Sequence, residues 1–128
     1  MGDVIDFSGR RVGPAQAGNV YRAFKHSDYA EQYLFFVFHD TNRYLILRFA
    51  ELERISSVPG VDSNRAVLLR FTGSDITEVR LDGHRLLELV SDLRFHQVSL
   101  IREAPPKWDG YRDDVVSVIR ITVQTVKR

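Results

Sequence analysis

YLFFVFHDTNRYLILRF, residues 33–49, is the stretch that decides the fold. Residues 33–39 are apolar and aromatic without alternation, which is typical of a strand buried on both faces. The three residues Asp40, Thr41 and Asn42 favour a turn, and residues 43–49 run back as a second strand. The stretch therefore predicts a hairpin and, with it, an antiparallel sheet.

Short strands are also predicted on either side of this hairpin. Apolar and β-branched runs bounded by turn residues indicate further strands at 20–24, 65–71, 76–81, 97–102 and 115–126. Residues 50–57 fit either a short helix or a strand. In the last strand two apolar residues meet at Val118 and Ile119, where the alternation slips, and this slip predicts a β-bulge.

One segment has the periodicity of a helix rather than of a strand. Its apolar stripe repeats at i, i+3, i+4 and i+7 and consists of Leu86, Leu89, Val90 and Leu93. Asp82 precedes the stripe and is the expected N-cap. These features predict one main helix over residues 83–94, packed on one face of the sheet.

The elements together predict an α+β fold with a mostly antiparallel sheet of about six strands, either open or curled into a partial barrel or roll. The element order over residues 43–94 is similar to that of pleckstrin-homology-like barrels. The strands predicted after the helix depart from that family, which ends on its helix, so the sequence assigns no family.

Composition places the chain among ordinary globular proteins and predicts where it acts. It has 128 residues, a formal net charge of +1 and no cysteine. Residues 1–18 are rich in Gly, Ala, Arg and Pro and predict a flexible N-terminal arm, while residues 19–128 predict one domain. The acidic, polar N-terminus is not a signal peptide, and the absence of cysteine fits a reducing compartment, so we expect a soluble, cytoplasmic protein with no membrane contact.

The histidines and acidic residues form no motif that carries catalysis. His26, His39, His84 and His96 show no spacing of a metal site, so neither a metal nor a cofactor is expected. The sequence has no Gly-x-Ser-x-Gly elbow and no phosphate-binding glycine loop. We therefore expect a protein that is not an enzyme, although a site assembled from separated strands would leave no local signature.

Four residues are the candidates for binding. Trp108 and Tyr111 lie in a polar loop after Pro105 and are residue types that dominate interfaces. The sequence leaves open whether Trp108 is a recognition residue or a plug for the end of the sheet. Arg48 and Arg70 lie beside aromatic residues on strands, but neighbours on a strand face apart, so nucleic-acid binding is not favoured.

The expected function is therefore a non-enzymatic protein–protein interaction or accessory module. Its partner is expected to be a protein or a second copy of the chain, because one helix covers only part of a sheet whose strand at 33–38 has apolar side chains on both sides. The alternative is a small ligand or a nucleic acid bound on the curved face of the sheet.

Overall fold

A computed structural model describes residues 21–39, 43–60, 65–105 and 115–127. Across these ranges the chain forms eight strands, one α-helix and a single 3-10 turn at Phe49–Glu51. The strands are β1 (Phe24–His26), β2 (Tyr33–Val37), β3 (Tyr44–Arg48), β4 (Leu52–Pro59), β5 (Arg65–Thr72), β6 (Asp75–His84), β7 (Val98–Arg102) and β8 (Ser117–Lys127), and helix α1 is Leu86–Leu93.

The strands form two four-stranded sheets. Sheet 1 has the order β1-β7-β2-β3, and sheet 2 has the order β4-β5-β6-β8. Every pairing is antiparallel except that of β2 with β7. The predicted α+β class with antiparallel pairing is confirmed. About six strands in one sheet and a partial barrel are not confirmed, because the described strands number eight and belong to two sheets.

One hydrophobic core joins the two sheets and the helix. The ring of Phe36 in sheet 1 meets the ring of Phe71 in sheet 2 edge to face, with centroids 6.2 Å apart. The core also takes in fully or nearly fully buried side chains from each layer, among them Leu34, Leu69, Val79, Leu81, Leu86, Leu89, Leu93, Val98, Ile101 and Val118. The sheets therefore cover each other, and the helix completes the core between them.

The helix is shorter than predicted, and the prediction that Asp82 caps it is wrong. Asp82 lies inside β6, where its carboxylate accepts hydrogen bonds from the guanidinium of Arg80. Residues Asp82 to His84 stay extended because they pair with β8. The chain turns at Arg85, which has φ of 56° and makes no side-chain cap, and α1 begins at Leu86.

The long ladder between β6 and β8 contains a close approach that needs glycine. A Cβ atom at Gly83 would lie 1.9 Å from the carbonyl oxygen of Ser117. The register shifts here, because Asp82 pairs with Arg120 and Gly83 pairs with Val118, so Ile119 has no partner. The predicted bulge at Val118 and Ile119 is confirmed.

Two other predictions can be compared with the structure. Residues 50–57, which fitted either a helix or a strand, form the end of the 3-10 turn and then strand β4. The strand at 33–39 is not buried on both faces, because only Leu34 and Phe36 are fully buried while Tyr33 and Phe35 are exposed. The predicted arm at 1–18 lies outside the described residues.

Hydrogen bonds tie the edge of sheet 1 to β8. The hydroxyl of Tyr21 donates to the carbonyl of Arg102 at 2.6 Å and accepts from the N–H of Val118 at 3.0 Å. The carboxylate of Glu103 accepts from the N–H groups of Ile121 at 2.8 Å and His39 at 3.1 Å. These contacts hold the two sheets in one fixed relation.

The buried stripe of α1 generates the first prediction. Leu89 is fully buried, whereas Leu87 on the same helix is 76% exposed. Leu89→Ala should lower the free energy of unfolding by about 2–5 kcal/mol, because it leaves a cavity between the sheets. Leu87→Ala is the matched control and should change it by less than about 0.5 kcal/mol. Chemical denaturation measures both, and equal stabilities would remove the helix from the core.

The partly buried side chain of Tyr21 generates a second prediction. Burial raises the pKa of Tyr21 from 10.0 to about 12, against the hydrogen bond to Val118 and the charge of Arg102, which lower it. A raised pKa means that the neutral phenol stabilises the fold below pH 10, and that this contribution is lost as the pH rises through about 12. The free energy of unfolding should therefore fall by about 2–3 kcal/mol over that range.

Tyr21→Phe isolates this effect. The variant loses two hydrogen bonds and should be less stable at neutral pH by about 0.5–1.5 kcal/mol. Its loss of stability between neutral pH and pH 12 should be smaller than that of the parent, because the titrating group is gone. Denaturation of both proteins at several alkaline pH values gives the comparison, and parallel pH profiles would contradict the assignment.

Candidate functional site

The outer side of sheet 1 carries side chains that the strand register brings into three rows. Because directly paired residues share a face of the sheet, the pairs define which side chains lie together. The longest row crosses all four strands and consists of Lys25, Leu100, Phe35 and Ile46. The other two rows consist of Arg102, Val37 and Tyr44, and of Tyr33 and Arg48. We call these nine residues the aromatic face.

The large apolar side chains of this face are exposed. The exposed fraction is 62% for Tyr44, 47% for Tyr33, 43% for Ile46 and 37% for Phe35. The rings of Phe35 and Tyr44 lie 6.1 Å apart with their planes tilted by 35°. Single exposed apolar residues are common on proteins, but a contiguous group of them marks a surface that contacts something.

The charged members of the face all have one sign. Lys25 and Arg102 lie on β1 and β7, and Arg48 lies at the end of β3. Arg48 has an acidic neighbour outside the face, since its Nη1 is 3.9 Å from Oε2 of Glu51. None of the nine residues carries a carboxylate.

The outer side of sheet 2 is built differently, because Arg70 and Arg80 are paired with carboxylates of the same sheet. Arg70 Nε lies 3.0 Å from a carboxylate oxygen of Glu53, and its Nη1 lies 3.5 Å from Glu78. Arg80 contacts Asp82 at 3.1 Å, and this hydrogen bond raises the pKa of Arg80 above its usual value. Glu53 and Glu78 reach Arg70 from the two neighbouring strands, whereas Arg80 and Asp82 lie on the same strand, β6.

A groove continues the aromatic face around the edge strand β1. Its volume is about 890 Å³, within the range of roughly 300–1,000 Å³ that is common for ligand clefts. Leu100, Lys25 and Arg102 belong both to the groove and to the aromatic face. Apolar and aromatic side chains line most of the rest of it, together with Arg22, His26 and Glu88 of α1.

The structure does not bring the predicted binding residues together. Arg48 lies on sheet 1, and Arg70 lies on sheet 2 between two carboxylates. Trp108 and Tyr111 lie outside the described residues. Of the aromatic face, only Arg48 was among the predicted binding residues; the other eight were missed because the pairing of distant strands that brings them together leaves no local sequence pattern.

A histidine, an aspartate and a serine approach one another near α1 without forming a nucleophilic site. His26 Nδ1 lies 2.9 Å from Oδ2 of Asp92, which anchors β1 to the helix. The neighbouring Ser27 hydroxyl donates its hydrogen to Glu31 at 2.5 Å rather than to the imidazole. Within the described ranges, no three His, Asp or Glu side chains gather as metal ligands.

Comparisons with family models, with curated proteins and with solved structures find no match for this chain. Among the described residues, no helix is long and apolar enough to cross a membrane.

The contrast between the buried side and the exposed side of sheet 1 generates the third prediction. Phe36 is fully buried, whereas Tyr44 on the paired strand is mostly exposed. Phe36→Ala should lower the free energy of unfolding by about 3–5 kcal/mol. Tyr44→Thr keeps a residue suited to strands and should change it by less than about 1 kcal/mol. Denaturation at low protein concentration measures both values, and a loss at Tyr44 as large as at Phe36 would show that the aromatic face supports the fold.

Proposed function

We propose that this chain is a non-enzymatic interaction module that binds a protein partner through the aromatic face of sheet 1. The observation that carries the proposal is the contrast between the two outer faces. The outer side of sheet 2 carries charged side chains, and Arg70 there is paired with Glu53 and Glu78. Sheet 1 instead exposes Tyr33, Phe35, Tyr44 and Ile46 together. Monomeric proteins rarely expose a contiguous apolar surface without a use for it.

The composition of the face supports a protein partner. Interfaces are enriched in Tyr, Phe and Arg, because these side chains bury much apolar area, and Tyr and Arg also supply polar groups. Tyr33, Tyr44, Phe35 and Arg48 are of these types and lie on neighbouring strands. The backbone of paired strands is rigid, so binding orders few groups and the associated entropy cost is small.

The described surfaces also favour binding over catalysis. The polar pairs that could serve chemistry have structural partners, as His26 has in Asp92 and Glu103 has in the N–H groups of Ile121 and His39. The groove beside the aromatic face is lined mainly by apolar residues and by cations. A surface of this kind can hold a partner without changing its covalent bonds.

Site-specific photocrosslinking tests the proposal. A benzophenone amino acid replaces Tyr44 on the aromatic face in one variant and Thr122 on sheet 2 in a control; both positions are exposed. Irradiation of the cells that produce the protein should give a protein adduct at position 44 and none at position 122. Mass spectrometry of the adduct then identifies what lies on the aromatic face.

Two results would contradict the proposal. If neither position gives an adduct, the aromatic face has no protein partner under the conditions of growth. If both positions give the same adducts, the crosslinks report random collisions rather than a specific surface.

A further inference from the structure

The aromatic face divides into two halves of different chemistry. The half formed by β1 and β7 carries the cations Lys25 and Arg102 and no ring. The half formed by β2 and β3 carries all three rings, and its one cation, Arg48, lies 3.9 Å from Glu51. Cations and aromatic rings attract each other, because the face of a ring is electron-rich. A surface with all its rings on one half and two of its three cations on the other is complementary to its own copy when the halves are exchanged.

We propose that the occupant of the aromatic face is a second copy of this chain, packed face to face across a two-fold axis that runs parallel to the strands. The proposal rests on the proposed function, since it names the partner of the same surface. A two-fold interface must be self-complementary. Rotation about this axis reverses the strand order, so β1 and β7 of one copy lie over β3 and β2 of the other.

The same rotation keeps each residue at its height along the strand. The longest row of one copy therefore lies over the longest row of the other copy, with its residues in the opposite order. This row consists of Lys25, Leu100, Phe35 and Ile46. Leu100 of one copy faces Phe35 of the other at the centre, and Lys25 faces Ile46 at each end. Two sheets packed in this way stand about 10 Å apart, which is the depth that such side chains fill.

The second row places charge against ring. Arg102, Val37 and Tyr44 share this row, so Arg102 of one copy lies over Val37 of the other, and its long side chain reaches the ring of Tyr44 on the next strand, about 5 Å to the side. The two copies of Lys25 lie at opposite ends of the interface, about 14 Å apart by the strand spacing. Their repulsion is screened at that distance, because the Debye length is about 8 Å at physiological ionic strength.

A nucleic acid would use the same residue types, but the face is poor in cations for that purpose. It holds Lys25, Arg48 and Arg102, and Arg48 already has Glu51 at 3.9 Å. Proteins that bind nucleic acid with strong salt dependence neutralise about 6–10 phosphates. The continuous apolar row between the cations fits a second sheet better than it fits a sugar–phosphate chain.

Sedimentation equilibrium of the full chain across micromolar concentrations tests the proposal, with two single variants. Arg102→Glu sets a carboxylate against the partner's ring, and Tyr44→Arg sets a cation against the Arg102 side chain of the other copy. Each should raise the dimer dissociation constant about tenfold or more, because both symmetric contacts are lost.

Thr122→Arg on sheet 2 is the control and should leave the dimer dissociation constant unchanged. Circular dichroism checks that each variant is folded, and Tyr44→Lys replaces Tyr44→Arg if that variant unfolds.

An equimolar mixture of the Arg102→Glu and Tyr44→Arg chains gives the decisive measurement. In the mixed pair, one contact joins the introduced carboxylate at position 102 to the introduced guanidinium at position 44. The other contact is the original one between Arg102 and Tyr44. The mixture should therefore form dimers at concentrations where neither variant alone does. Contacts within one chain cannot produce this result.

Several outcomes of the sedimentation, binding and crosslinking experiments would overturn the proposal. The parent protein could sediment as a monomer at all concentrations. Alternatively, the dissociation constant of the dimer could be the same in both variants as in the parent, or the mixture of the two variants could stay monomeric. Tight binding of a labelled single-stranded oligonucleotide that fails in Arg102→Glu would assign the face to nucleic acid instead. If the protein is a monomer but crosslinks to another protein at position 44, the proposed self-association is wrong and the proposed interaction module is still supported.

Discussion

A single apolar layer holds this protein together, and the rest of the structure depends on it. Leu34 and Phe36 of sheet 1 meet Leu69 and Phe71 of sheet 2 across it. Helix α1 contributes its buried leucines to the same layer. Since every strand alternates its side chains between two sides, filling this layer decides at once which residues point outward. The outer faces are therefore a consequence of the core.

The outer faces of the two sheets carry different kinds of side chains. On sheet 2 the outward positions carry charges of both signs at cross-strand distances, and Arg70 and Arg80 find carboxylates within the sheet. On sheet 1 the outward positions carry rings, aliphatic chains and cations, with no carboxylate among the nine residues of the aromatic face. This difference between the two outer faces is the basis for the proposed interaction role.

Much of the fold could be predicted from local patterns, while the candidate site could not. The hairpin at 33–49 and the stripe of Leu86, Leu89 and Leu93 come from periodicities of two and 3.6 residues, which depend on near neighbours in the chain. The prediction that Asp82 caps the helix was wrong because this part of the chain is held by long-range contacts. The residues that hold Asp82 and Gly83 extended lie on β8, more than thirty positions later, and no local pattern records that pairing.

The sequence by itself determined the class of fold, the bulge at Val118 and Ile119, and the buried stripe of the helix, because short-range sterics and alternation control each of them. Only the tertiary structure decided that the strands divide into two sheets and that Tyr33 and Phe35 face outward while Leu34 and Phe36 face inward. An unbroken apolar run is compatible with either side being buried. The choice is made by the second sheet, which packs against one side and leaves the other exposed. The parallel pairing of β2 with β7 likewise brings Leu100 and Arg102 beside Phe35 and Val37 from more than sixty residues away.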